Sequence, residues 1–214
     1  MLVNQQKTHI VVSKLPRNED YLTNYDGYVV TTEHFDLANP VTKVDDIPDY
    51  EMYSQTIDSL NKRFGNRVLK GIEIGYIASE KDRIIDYLAD KDYDLKLLSV
   101  HHNGQFDYLD DEVKDMDPAI VIPQYFAQLS EALVVIEADV FAHFDYSFRV
   151  FGLSVAEFKQ YEAQFLPILD QVIKNKLAFE LNAKSAYLYD NLALYEYVID
   201  LYVYCKIEVH NYAT

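Results

Sequence analysis

The chain has 214 residues, which is enough for one large domain with a core that needs no disulfide. It carries 35 acidic and 19 basic residues, a formal charge of -16, and this excludes broad binding to nucleic acid or to anionic membranes. A small phosphorylated substrate can still bind to such an acidic protein if metal ions or a few local cations supply positive charge. The single cysteine, Cys205, excludes an internal disulfide. We find neither a signal-peptide core nor a span of ~18 apolar residues, so we expect a cytoplasmic protein.

Apolar strand-like runs alternate with helical segments along the whole chain. The runs span 8–13, 27–32, 67–76, 95–100, 140–145, 177–182 and 206–210. The spacing predicts helices over 50–64 with Gly65 as a stop, over 79–89, 119–136 and 190–204, and after a cap at Ser154. Pro167 predicts a bend or break in the helix that follows Ser154. This alternation predicts a single domain, built as an α/β barrel or a doubly wound sheet.

Two long acidic loops interrupt the alternation. The loop over 36–49 follows the second strand-like run and is long enough to form a rim over a site. We expect the loop over 107–117 to be a solvated rim.

All six histidines adjoin a strand-like run, at its start in the case of His9. They are His9, His34, His101, His102, His143 and His210. The carboxyl ends of parallel strands meet at one face of an α/β barrel, so these side chains are expected to converge there. Together with Glu73 and Glu208 they suit zinc, iron or manganese, which accept imidazole and carboxylate ligands. His102 is equally well interpreted as a rim or packing residue.

The sequence offers little for other kinds of catalysis. It contains no Gly-x-Ser-x-Gly, no phosphate-cradling Gly-x-x-x-x-Gly-Lys and no Gly-x-Gly-x-x-Gly, and its six glycines leave little room for such loops. Water activated by metal ions is therefore the favoured nucleophile, and hydrolysis of a phosphoester follows from that chemistry.

Four strand ends resemble the motifs of the polymerase-and-histidinol-phosphatase (PHP) family, and especially its monofunctional histidinol-phosphatases. In the order and spacing of that family, they are Thr32-Glu33-His34, Gly71-Ile72-Glu73, Ser99-Val100-His101 and Ala142-His143-Phe144-Asp145. The resemblance covers most of the chain. It implies one domain over 1–214, a distorted seven-stranded TIM-like barrel that uses two or three divalent metal ions to hydrolyse a phosphate monoester.

The resemblance also implies roles for single residues. Glu73 would bridge two ions, with His101 on one of that pair and His34 and His143 on a further ion. The whole set of expected metal ligands is His9, His34, Glu73, His101, His143, Glu208 and His210. Glu73, His101 and Arg149 are the expected catalytic residues, and Arg149 and Lys184 are the candidate contacts of the substrate phosphate. Asp36, Asp145 and Asn182 lie at strand ends, where they could orient ligands.

Both ends of the chain depart from the family pattern. Lys7-Thr8-His9 stands where the family has His-x-His, and a lysine is a poor partner for a cation. Glu208-Val209-His210 stands where the family has Asp-x-His. The sequence thus predicts either weakened metal positions or a chain incomplete at these motifs. Its best interpretation is a phosphomonoesterase that hydrolyses L-histidinol phosphate in histidine biosynthesis. A related enzyme with another small substrate and a non-catalytic PHP-like module are the alternatives, and the oligomeric state is undefined.

Overall fold

Six parallel strands form one sheet in the part of the chain that the computed structural model describes, residues 9–13 and 22–212, with side chains for 22–205. They are β1 (His9–Ser13), β2 (Tyr28–Asp36), β3 (Val68–Gly75), β4 (Leu95–Ser99), β5 (Val140–Phe141) and β6 (Ala178–Phe179). The strands lie side by side in chain order. A doubly wound sheet reverses its order at a switch point, so the barrel-like order is the one observed.

Besides a short helical stretch at 22–24, the described residues contain six α-helices. They are α1 (Tyr50–Phe64), α2 (Lys81–Leu88), α3 (Pro118–Val135), α4 (Val155–Phe158), α5 (Glu162–Lys174) and α6 (Leu192–Tyr212). The predicted stop of α1 is confirmed, because Gly65 adopts the left-handed conformation at φ 77° that favours glycine. The predicted cap is confirmed too: Ser154 and Glu157 form a reciprocal capping box at the start of α4.

Two predictions about the second half of the chain, a seventh strand and a helix break at Pro167, are wrong. The run over 206–210 is no seventh strand, because it lies within α6, whose 21 residues contain no glycine or proline to end the helix. The seven-stranded barrel is therefore not confirmed. The helix after Ser154 breaks at 159–161, while Pro167 lies inside α5. Burial of neighbours such as Phe165 and Leu169 offsets the backbone hydrogen bond that Pro167 removes.

Helix α3 is the one described helix that is long and apolar enough, by length and composition, to cross a membrane. Seven of its side chains are buried in the protein core, and core helices pass the same test.

An aromatic cluster centred on Phe144 supports the two-residue strands β5 and β6. Five rings lie within 6.3 Å of the Phe144 ring, measured between centroids: Phe148, Phe158, Phe165, Phe179 and Tyr195. The core thus holds Phe144 firmly, and this fixes the positions of its chain neighbours His143 and Asp145.

Tyr53 of α1 ties the helix to the centre of the sheet. Its hydroxyl lies 2.6 Å from Thr31 Oγ1 and accepts a hydrogen bond from the Gly71 N–H at 3.2 Å. Gly71 permits the close approach of β2, because a Cβ there would lie 2.7 Å from the Thr31 carbonyl oxygen.

We expect Tyr53→Phe to lower the free energy of unfolding by about 1–3 kcal/mol, since it removes the partner of the buried Thr31 hydroxyl. Urea denaturation measures this loss. Tyr187→Phe is the control, because Tyr187 is 77% exposed, and it should change stability by less than about 0.5 kcal/mol. Equal effects of the two substitutions would contradict this role of Tyr53.

Candidate metal centre

A cavity of about 550 Å³ opens at the carboxyl ends of the strands. Eight residues singled out from the sequence line it: His34, Asp36, Glu73, His101, His143, Arg149, Asn182 and Lys184. The loop after β2 also lines it, as the prediction of a rim requires, through Asn39, Thr42, Val44, Asp45 and Asp46. The parallel order of the strands brings these distant residues together.

Glu73 is the centre of the histidine cluster. Its Oε1 lies 3.0 Å from His101 Nε2 and 2.9 Å from His143 Nε2, while its Oε2 lies 3.7 Å from His34 Nε2. His34 and Glu73 are Cα partners in the parallel register of β2 and β3, which sets their side chains next to each other. The two carboxylate oxygens therefore face two different sets of imidazoles, as a bridging ligand would.

The donor atoms fit a metal ion. His101 Nε2 and His143 Nε2 lie 3.4 Å apart, and two ligands of a tetrahedral zinc with bonds of about 2.0–2.1 Å are separated by about 3.3–3.4 Å. Donor atoms of His34, Glu73 and His101 also lie within 4.8 Å of one another. Here His143 groups with His101, whereas the sequence predicted that it would share an ion with His34.

Asp36 orients two of the imidazoles from behind. Its Oδ1 lies 2.7 Å from His101 Nδ1 and its Oδ2 lies 3.5 Å from His34 Nδ1. This leaves Nε2 of both rings turned toward Glu73. A carboxylate that holds the far nitrogen of a metal-binding histidine is a common feature of metal sites. The prediction that Asp36 could orient ligands agrees with this geometry.

Gly75 makes room for this contact. A Cβ at Gly75 would lie 1.8 Å from Asp36 Oδ1 and 3.2 Å from His101 Nδ1. Any larger residue would therefore displace the Asp36 carboxylate.

The charges of the cluster are strongly coupled. Burial lowers the pKa of His101, but the charge of Asp36 and the hydrogen bonds with Asp36 and Glu73 outweigh it and raise this pKa to about 10. Burial opposes ionisation of Glu73, yet His101 and His143 hold the pKa of its carboxyl well below its usual range. Glu73 is therefore an anion at neutral pH, ready to bind a cation.

The cavity as a whole is negative. Five carboxylates line it, Asp36, Asp45, Asp46, Glu73 and Asp107, against three cationic side chains, Arg149, Lys184 and the His101 imidazolium. Such a site repels a phosphate dianion unless bound cations reverse its charge. The donor set and the charge balance thus both fit divalent metal ions.

Three of the expected ligands lie where the structure gives no side-chain description. His9 begins β1, and Glu208 and His210 fall in α6. Their predicted metal roles stay predictions, as does the effect of Lys7, which lies outside the described residues.

Several functional residues were missed or misjudged from the sequence. Asp107 lines the cavity and accepts the Tyr146 hydroxyl at 3.3 Å, so it is more than part of a solvated rim. Glu180 accepts the His143 backbone N–H at 2.6 Å and was not singled out. His102 is 2% exposed and accepts the Gly104 N–H at 3.2 Å, which makes it a buried loop residue outside the cavity lining.

Fold and site together define an α/β protein with a histidine and carboxylate centre at the carboxyl ends of parallel strands. The family model of the PHP domain matches residues 19–184. The chain therefore belongs to the PHP domain family, and its class is that of the PHP-type phosphoesterases. The family predicted from the four motifs is confirmed.

Comparison with curated proteins found no match. Among solved structures, the chain is similar to histidinol phosphate phosphatase from Lactococcus lactis subsp. lactis, determined in complex with zinc, L-histidinol and phosphate. The TM-score is 0.70 at 20% sequence identity, over 82% of this chain and 73% of that one. This likeness shows a shared fold.

Proposed function

We propose that this protein is a cytoplasmic, metal-dependent phosphomonoesterase that hydrolyses L-histidinol phosphate to L-histidinol and phosphate in histidine biosynthesis. The observation that carries the proposal is the contact of both oxygens of Glu73 with imidazoles inside a cavity that Arg149 also lines. The family of the chain and the zinc complex of its structural neighbour support it.

The residues that line the cavity would have different roles in hydrolysis. Glu73 would hold two or three ions of zinc, iron or manganese together with His34, His101 and His143, and these ions would offset phosphate charge and lower the pKa of the attacking water. Asp36 keeps His101 and His34 in place. Arg149 and Lys184 would bind the phosphate oxygens, and the guanidinium of Arg149 suits them because its N–H groups form a planar fork.

The charge of the outer cavity favours a cationic leaving group. Asp46 and Asp107 line it, and Asp45 lines it too, although its carboxylate is paired with Arg83 at 2.7 Å. Histidinol carries an ammonium group that these carboxylates would attract, whereas they offer nothing comparable to a neutral sugar. The structural neighbour was determined with L-histidinol and phosphate, in agreement with this choice.

Phosphate release from a substrate panel tests the proposal. After loading with manganese, iron or zinc, we expect kcat/KM for L-histidinol phosphate to exceed that for glycerol phosphate or glucose 6-phosphate by at least about tenfold, as expected for one lost ion pair in the leaving-group site. If the protein prefers another ester, it is still a phosphoesterase, but L-histidinol phosphate is not its substrate. No release from any ester would overturn the proposal and favour a non-catalytic module.

Metal binding should also stabilise the fold. At a metal concentration of about 100 times Kd, the gain of about 2.7 kcal/mol should raise the unfolding midpoint by about 5–10 °C. Differential scanning fluorimetry with manganese, and then with a chelator, measures this shift. Glu73→Gln is the matched variant and should show little shift. An equal shift in both proteins would place the metal elsewhere.

A further inference from the structure

The carboxylate of Asp145 accepts hydrogen bonds from three separate segments of the chain. Among the described hydrogen bonds, Arg149 is its one charged donor. Asp145 is 0% exposed. Its donors are Arg149 Nε at 3.3 Å, Arg149 Nη2 at 3.2 Å, Ser185 Oγ at 3.1 Å, Asn191 Nδ2 at 3.2 Å and the Tyr195 hydroxyl at 2.8 Å. A buried carboxylate is retained only when it is paired and hydrogen-bonded in this way.

Arg149 is held in one orientation by this carboxylate. Its side chain is only 3% exposed, and its Cζ lies 5.2 Å and 5.8 Å from the ring centroids of Tyr146 and Tyr189. A guanidinium has five N–H donors in a rigid fork. Asp145 takes one N–H from Nε and one from Nη2, which leaves both N–H groups of Nη1 and the second of Nη2 to bind a ligand in the cavity that Arg149 lines.

The same carboxylate also ties down the chain after β6. Ser185 directly follows Lys184, the second cationic residue of the cavity lining, and Ser185 is fully buried against Asp145. Tyr195 makes its bond from α6. One buried group therefore fixes both the guanidinium and the segment that carries Lys184.

We propose that Asp145 is a positioning residue for phosphate: it sets the orientation of Arg149 and anchors the Lys184 segment, so that both cationic side chains face one phosphate group. This inference rests on the proposed function, because it takes a phosphate as the occupant of the cavity. It assigns to Asp145 no contact with the substrate and no part in holding a metal ion.

A double-mutant cycle between Asp145 and Arg149 tests the proposal, with inorganic phosphate as the probe and calorimetry on the manganese-loaded protein. Asp145→Asn should weaken phosphate binding by about tenfold or more, the effect of one lost charge-assisted hydrogen bond. Arg149→Met should weaken it further. Adding Asp145→Asn to Arg149→Met should then change phosphate affinity by less than about twofold, since the group on which Asp145 acts is gone.

Manganese content and the unfolding midpoint separate positioning from general damage. Asp145→Asn should keep its manganese while KM for a phosphomonoester rises more than kcat falls. Tyr197→Phe is the matched control, because Tyr197 lies on α6, as Tyr195 does, and its hydroxyl donates a hydrogen bond to Glu162. It should lower stability without changing phosphate affinity. If Asp145→Asn fails to fold, Tyr195→Phe replaces it in the cycle, with an expected loss of about twofold to threefold that vanishes in Arg149→Met.

Additive losses in the cycle, or an unchanged phosphate affinity in Asp145→Asn, would overturn the inference. If the protein hydrolyses a phosphomonoester but the losses in the cycle are additive, the inference about Asp145 fails and the proposed function stands. If the protein binds phosphate and the cycle gives the expected result, but no ester is hydrolysed, the inference about Asp145 is supported and the proposed function fails.

Discussion

Replacement of Glu73 by glutamine will reduce phosphate release by about a thousandfold or more, equivalent to at least about 4 kcal/mol of transition-state stabilisation. Glu73 is the one side chain whose oxygens contact His34, His101 and His143 together in the described part of the chain. Glutamine keeps its volume but removes the charge, and its amide nitrogen is no metal ligand.

Measurements of kcat/KM together with metal content by mass spectrometry test this expectation. The variant should lose both activity and bound metal. Glu131→Gln is the control, because Glu131 is a glutamate of α3 that accepts the Tyr76 hydroxyl at 2.8 Å and does not line the cavity. Activity of Glu73→Gln within tenfold of the wild type would show that Glu73 is dispensable.

Gly75→Ala will disturb the same centre through volume alone. The added methyl group would lie 1.8 Å from Asp36 Oδ1, so the carboxylate must turn away from His101. We expect the free energy of unfolding to fall by about 1–3 kcal/mol, the usual cost of overpacking, and metal affinity to fall by about 10–100-fold as His101 loses its orientation.

A second cycle identifies the cause. Asp36→Ala alone removes the support of His101, and it also clears the space that the new methyl group needs. Adding Gly75→Ala to Asp36→Ala should therefore cost little further stability or metal affinity. Chemical denaturation and metal titration of the four proteins measure both quantities. Full additivity would mean that Gly75 acts through something other than Asp36.

Much of the fold could be predicted because local signals and packing agree. Helix α1 combines one apolar face with Asp49 as its cap and Gly65 as its stop, and its observed bounds are those predicted. The run over 206–210 shows the opposite case. Alternating apolar residues in so short a stretch fit a helix as well as a strand, and continuity with α6 decides between them.

The centre of the site was also predictable, whereas its supporting contacts were predictable only in part. Histidines and a glutamate at strand ends converge because parallel strands end at one face. Asp145 was recognisable as a polar residue at a strand end, but its partners were not, and Glu180 was not singled out, since these contacts join residues 37 to 50 positions apart along the chain. Only the folded structure reveals that Asp145 faces Arg149 and Tyr195 at once.

Anomalous X-ray diffraction from crystals grown with manganese or zinc tests the central claim most directly. We expect anomalous peaks within about 2.0–2.3 Å of the donor atoms of Glu73, His101 and His143, with at least one further peak on the His34 side of Glu73. Crystals with fully occupied metal at other positions, and none beside Glu73, would contradict it.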